Sequence, residues 1–165
     1  MVNDKPRCII CDVDGTVALM KGKRTPYEYD KADNDEPNIA VIDTVLAMKK
    51  HYKCELIMLS ARENVAFNVN NDDNKSNHTY SNKKYKNAFD LTAEWLNEYV
   101  SKDWHTLIMR VEGDYRKDCY VKYDIGRMLM QDWEPIMVFD DRNQVVDMWR
   151  NGLRLQCFQV ADGNF

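Results

Sequence analysis

Cys8-Ile9-Ile10-Cys11-Asp12-Val13-Asp14-Gly15-Thr16 decides how this chain is read. The first four residues are apolar, which predicts a short strand buried on both faces, as in a parallel sheet. Two carboxylates follow where that strand should end, and open parallel sheets bind ligands at the carboxyl ends of their strands. Side chains alternate along extended chain, so Asp12 and Asp14 are expected to point the same way. Gly15 permits a sharp turn and a close approach of backbone amides to an anion. Paired carboxylates so placed indicate a divalent metal, a nucleophile, or both. An EF-hand loop does not fit, because its glycine belongs at loop position six and a closing Glu must follow.

The rest of the chain sets the frame. Its 165 residues suit one domain over 1–165, and 44% apolar with 30% charged residues is ordinary for a soluble globular protein. No apolar run approaches membrane-spanning length, and the N-terminus lacks a signal peptide's apolar stretch. Five cysteines, an odd number, fit a reducing, cytoplasmic setting. Cys8 and Cys11 on a strand face opposite sides, so they read as small core residues rather than a zinc pair. A formal charge of −4 argues against a highly basic nucleic-acid coat. Local basic patches remain at Lys21-Gly22-Lys23-Arg24, Lys83-Lys84-Tyr85-Lys86 and Arg116-Lys117.

Strand and helix signals alternate, which predicts an α/β fold with a five-stranded parallel sheet. After the first strand, residues 21–38 read as too charged for core, and a small cap excursion is expected at about 17–36. A helix is expected to start near Asp35-Glu36-Pro37, with apolar residues from Ile39 onward at helical spacing. Further strands are expected at 54–59, 106–109, 135–139 and 153–160. Helices are expected around 89–99, 116–130 and 145–149. A polar insertion at 64–82, extending to about 86, reads as a surface loop, and its Asn77-His78-Thr79 sequon carries little weight.

Strand tips then supply complementary chemistry. The first gives Asp12 and Asp14, the second Ser60 and Arg62, and the fourth Asp140 and Asp141. The third leads through Asp114 to Arg116-Lys117 at a helix start. The inventory matches phosphoryl transfer: carboxylates for Mg²⁺, cations and hydroxyls for phosphoryl oxygens, and acids for covalent and proton-transfer steps.

The arrangement resembles the haloacid dehalogenase superfamily of phosphotransferases. The resemblance implies a Rossmann-like sheet of order 5-4-1-2-3. It implies Asp12 as nucleophile, Asp14 as general acid and then base, and Thr16, Ser60 and Lys117 on the phosphoryl side. Mg²⁺ would be held by Asp12, Asp14 through its carbonyl, and the Asp140/Asp141 pair. More narrowly, residues 22–27, 60–63, 113–118 and 140–150 and the tail 159–165 are similar to the phosphatase domain of the T-even phage polynucleotide kinase-phosphatase family. That likeness adds Arg24, Arg62 and Asp114 to the site, with Lys23 competing for the place of Arg24. It implies removal of 3′-phosphates from DNA or RNA ends before ligation.

No G-x-x-x-x-G-K-[ST] stretch occurs in the chain, so 5′-kinase activity is not expected of it. Two other readings compete: a nucleotidase or small-phosphoester phosphatase of the same superfamily, and a non-catalytic binding module. Candidate partners are nucleic-acid 3′-ends, a second copy of the chain, and a separate kinase or ligase of the same pathway.

Overall fold

The apolar run forms strand β1 (Arg7–Asp12), and every residue after Arg7 is buried. The structure, a computed structural model, describes residues 5–68 and 80–163. Much of the insertion expected at 64–82, its sequon, and the tail residues Asn164 and Phe165 lie outside the described residues. After β1 come β2 (Ala18–Leu19), a 3₁₀ turn (Tyr29–Asn34), β3 (Glu36–Pro37) and α1 (Ile39–Tyr52). Then follow β4 (Glu55–Glu63), α2 (Ala88–Tyr99), β5 (Thr106–Arg110), α3 (Asp118–Asp132) and β6 (Glu134–Arg142). The last elements are α4 (Asn143–Asp147), a π turn (Met148–Gly152) and β7 (Cys157–Gly163).

The main sheet is parallel, with strand order β5-β4-β1-β6-β7. Counted among these long strands alone and read from β7, the order is fifth, fourth, first, second, third. The labels depart from the expected numbering because β2 and β3 form a separate antiparallel ribbon. Alternation along β1 splits the core into two layers. Ile9 and Cys11 pack with Ile42 and Val45 of α1 and Trp95 and Leu96 of α2. Cys8 and Ile10 pack on the other face with Leu129 of α3, Val145 and Val146 of α4, and Trp149. The cysteines that begin and end the apolar run therefore lie on opposite faces, as strand geometry requires.

Several boundaries differ from the sequence expectation. Helix α1 starts at Ile39, because Pro37 is spent in β3 opposite Ala18 and Asn38 occupies the N-cap. The final strand begins only at Cys157. Strands β4 and β6 run past the expected ends, so Ser60, Arg62, Asp140 and Asp141 belong to the strands themselves. The pairing slips at the same level, between Ser60 and Glu63 and between Asp140 and Arg142. Such irregularities re-aim side chains at the rim of a sheet.

The excursion at 17–36 is not the polar surface that its charge suggested. Tyr29 and Ala32 are buried against Val65, Phe67, Ala88 and Leu91 in a third apolar cluster. Arg24 and Asp35 are buried as well, each compensated by an opposite charge.

Helix α3 approaches the α4–π segment closely at Gly126. A methyl group there would sit 2.5 Å from Leu153 and 2.7 Å from the fully buried Trp149 ring. Overpacking of that kind costs about 1–3 kcal/mol, against about 1 kcal/mol that Ala gains over Gly in a helix. Gly126→Ala is therefore expected to lower the melting temperature by a few degrees in a thermal melt; a rise would contradict this packing.

Candidate active site

The carboxyl ends of β1, β4 and β6 meet beside the N-terminal half of α3, around an open cavity of about 480 Å³. Asp12, Asp14, Arg62, Lys122 and Asp141 all line it. Asp12 is buried, and its two oxygens have different partners. Thr16 donates its hydroxyl to Oδ2 at 2.9 Å, and Lys122 Nζ donates to Oδ1 at 2.6 Å. The same ammonium reaches Asp140 Oδ2 at 2.7 Å, where Trp149 Nε1 also donates, at 3.2 Å. Gly15, at φ +82°, turns the chain against Asp141, and any Cβ there would overlap that carboxylate. A side chain is thus excluded both by conformation and by space.

Three carboxylates and one ammonium leave this buried cluster with an excess of negative charge. Burial pushes the Asp12 carboxyl well above its ordinary value; Lys122 opposes this, and Asp140 and Asp141 reinforce it. Burial and then Asp140 push Asp141 up to about 6. Burial works against the Lys122 charge, but Asp12 and Asp140 outweigh it and hold the ammonium protonated. Asp12, Asp140 and Asp141 each offer a carboxylate oxygen, all within 4.8 Å of one another. Hard oxygens at that spacing, with uncompensated negative charge, fit a hard divalent cation such as Mg²⁺.

Asp14 belongs to a second ionic network. Arg24 Nη2 donates to its Oδ1 at 2.7 Å, Arg62 Nε lies within 2.9 Å of both its oxygens, and the Ser60 hydroxyl donates at 3.1 Å. Both arginines also hold Asp35, whose side chain is fully enclosed: Arg24 at 2.6 and 2.7 Å, Arg62 at 2.8 Å. Arg62 further donates to Thr92 Oγ1 at 3.0 Å. Burial alone would raise the Asp14 carboxyl, but Arg62 and Arg24 override it and hold the group down at about 2. Two aspartates two positions apart in the sequence thus stand in opposite electrostatic surroundings.

The structure gathers Asp12, Asp14, Thr16, Arg24, Ser60, Arg62, Asp140 and Asp141 into one site. It places Arg24, not Lys23, against Asp14; Lys23 pairs with Glu36 instead. Lys117 and Asp114 do not join the cluster at its floor. Lys117 is the exposed N-cap residue of α3, on the cavity rim, and Asp114 accepts from Arg116 in the preceding loop. The lysine against Asp12 is Lys122, because the inward face of α3 begins one turn into the helix. A signal for it existed: Lys122 shares the buried stripe of Val121, Gly126 and Leu129, where an unpaired lysine would not be tolerated. Asp118 was missed too; it binds both Arg110 and Arg142. Asp35 carried no local signal beyond a helix-start carboxylate.

A parallel sheet with a nucleophile-type aspartate on its first tip, a buried lysine, and a carboxylate pair on a neighbouring tip defines a phosphatase domain of the haloacid dehalogenase type. Residues 6–165 match the family described as the polynucleotide kinase PNKP phosphatase domain, and the chain belongs to that family. A relative from Autographa californica nuclear polyhedrosis virus, provisionally described as a bifunctional polynucleotide kinase/RNA ligase, is 28% identical over 153 residues. The match covers 91% of this chain and 19% of that protein. Solved structures of a Pnkp1/Rnl/Hen1 complex and of the Pnkp1/Rnl/Hen1 RNA repair complex each contain a similar chain at 35% identity, with TM-scores of 0.75 and 0.74. Those matches cover 99% of this chain and 48% and 45% of the others, so it spans about half the length of the solved chains.

Two predictions follow from the floor of the site. Lys122→Ala leaves buried carboxylates without a counter-ion, a change that costs about 3–5 kcal/mol. Lys117→Ala removes an exposed side chain and should leave the thermal melt nearly unchanged; equal effects would refute the assignment of the buried lysine. The pH dependence has a definite sign. Asp141 has a folded-state value of about 6 against an ordinary 3.8, so its stabilising contribution is complete below 3.8 and is lost as pH rises through about 6. Asp12 shifts in the same direction. Metal-free protein should therefore melt at higher temperature near pH 5 than near pH 7, while the rise in melting temperature on adding Mg²⁺ should grow over that interval. Scanning fluorimetry with and without Mg²⁺ checks both signs.

Proposed function

We propose that this chain is a Mg²⁺-dependent phosphatase that removes 3′-phosphates from nucleic-acid ends through an aspartyl-phosphate on Asp12. One observation carries the chemistry: Asp12 lies on a cavity floor beside Lys122 at 2.6 Å, within a set of three close carboxylates. Asp12, Asp140 and Asp141 would hold the Mg²⁺, which when bound offsets negative charge on the phosphoryl oxygens. Thr16 and Lys122 fix the Asp12 carboxylate so that one oxygen can attack phosphorus. As that P–O bond forms, the bond to the 3′-oxygen breaks, and Asp14 delivers a proton to the leaving oxygen. Asp14 then takes a proton from the water that opens the phosphoaspartate, and Asp12 is restored. At rest the arginine clamp keeps Asp14 ionised. An incoming phosphate dianion competes for Arg24 and Arg62 and raises the proton affinity of Asp14.

The substrate class draws its support from the family and from the RNA repair complex whose chain this one resembles. It also draws on the cavity rim, where Arg116, Lys117 and Arg142 stand above an acidic floor. Phosphate contacts of that kind position a strand without reading its sequence. A kinase or ligase acting on the same ends is the partner this reading implies, and the chain itself would carry no 5′-kinase activity.

The test compares a 3′-phosphorylated oligonucleotide, its 5′-phosphorylated isomer and a nucleoside 3′-monophosphate, all in Mg²⁺. Only the 3′-phosphorylated strand should turn over efficiently, with an efficiency that falls as salt rises. Asp12→Asn should abolish turnover, and Asp14→Asn should lower it by about 10²–10⁴-fold. Equal efficiency on the mononucleotide would favour a nucleotidase, and turnover by Asp12→Asn would remove the nucleophile assignment.

A further inference from the structure

Tyr27 and Tyr115 are 66% and 73% exposed, yet both line the cavity that holds Asp12. Rings that open to solvent add little to a core, so their placement calls for another explanation. Each stands on backbone that charged groups hold in place. Arg110 Nη1 donates to the carbonyls of Asp114 and of Arg116, both at 3.0 Å, and so grips the chain on each side of Tyr115. The same loop is fixed again where Gly113 N donates to Glu63 Oε2 at 2.9 Å. On the other side, Arg24 Nη1 donates to the Thr25 carbonyl at 3.1 Å, and Thr25 N donates to Glu28 Oε2 at 2.7 Å. Arg24 is also a clamp on Asp14, so the loop carrying Tyr27 is tied to the site itself.

Met20 and Pro26 extend the apolar strip beside Tyr27, while Lys117, exposed and without an ion-pair partner among the described residues, stands next to the Tyr115 loop. The cavity thus has an acidic floor, an aromatic rim and a cationic margin. A phosphorylated nucleic-acid end has the matching sequence of groups: a terminal phosphate, a flat base beside it, and further backbone phosphates.

We propose that Tyr27 and Tyr115 form a stacking site for the nucleobase next to the scissile phosphate, with Lys117 on the following backbone phosphate. The inference rests on the nucleic-acid reading above and deepens it. Stacking on an aromatic ring accepts any base, because every base has a π face. Rings held on pinned backbone lose little freedom when a base arrives.

The test uses two oligonucleotides identical except at the 3′-terminal residue, one bearing thymidine 3′-phosphate and the other an abasic 3′-phosphate, with glycerol phosphate as a third substrate. Wild-type protein should prefer the base-bearing end in kcat/KM by roughly 5- to 150-fold, the contribution of one base stacked on an aromatic side chain. Tyr27→Ala and Tyr115→Ala should shrink that ratio toward one, mainly through KM, and Tyr115→Phe should keep it. A wild-type ratio near one overturns the stacking site, as does an equal loss on both strands in the alanine variants. The wild-type ratio decides even where a variant fails to fold. Turnover of glycerol phosphate with neither strand cleaved overturns the nucleic-acid reading, and the stacking site with it.

Discussion

A buried ammonium caught between carboxylates organises this molecule. Lys122 Nζ lies 2.6 Å from Asp12 and 2.7 Å from Asp140, and all three side chains are almost wholly out of solvent. Bringing such charges out of water costs several kcal/mol per ion, and their attraction repays that only where geometry is well fixed. The three groups come from β1, α3 and β6, so the position of α3 on the sheet decides whether the cluster exists. The apolar layer of Ile10, Leu129, Val138, Val146 and Trp149 holds it there. Trp149 does so twice, by filling that layer and by donating to Asp140.

Around this centre the protein keeps two ionic networks in adjacent places and gives them separate roles. Asp12 sits among other carboxylates, where its negative charge is poorly compensated and a divalent cation is welcome. Asp14 sits in the grip of two arginines and is over-compensated. Residues that emerge from the same strand tip and face the same cavity therefore differ sharply in proton affinity, as covalent attack and proton transfer require. The division is made by what surrounds each group: Arg62 of β4 and Arg24 of the excursion for Asp14, and Lys122 of α3 with the carboxylates of β6 for Asp12.

The excursion itself shows how charge can mislead. Residues between 21 and 38 have a surface-like composition, but Arg24 and Asp35 neutralise each other in the interior while Tyr29 and Ala32 fill an apolar cluster. Composition reports how many charges a segment has. Burial depends on whether each finds its opposite, and here both ionic partners of Arg62 lie far from it along the chain: Asp14 just past β1 and Asp35 just before β3. The same distance in sequence explains why Asp35 carried no signal of its role.

Much of the site was legible without coordinates because its parts obey short-range rules. The alternation of β1 placed Cys8 and Cys11 on opposite faces, Asp12 at its end and Asp14 in the turn just past it line one cavity, and the tips of β4 and β6 supplied Ser60, Arg62, Asp140 and Asp141. The lysine was misplaced because a loop-and-helix boundary is set by capping and packing: Arg116-Lys117 reads like a helix start, but the chain turns inward only one turn later, at Lys122. Periodicity acts between neighbours and is written in the sequence. Which charges meet in the interior is a long-range matter, settled only when helix and excursion close over the sheet and each buried ion has to find a partner.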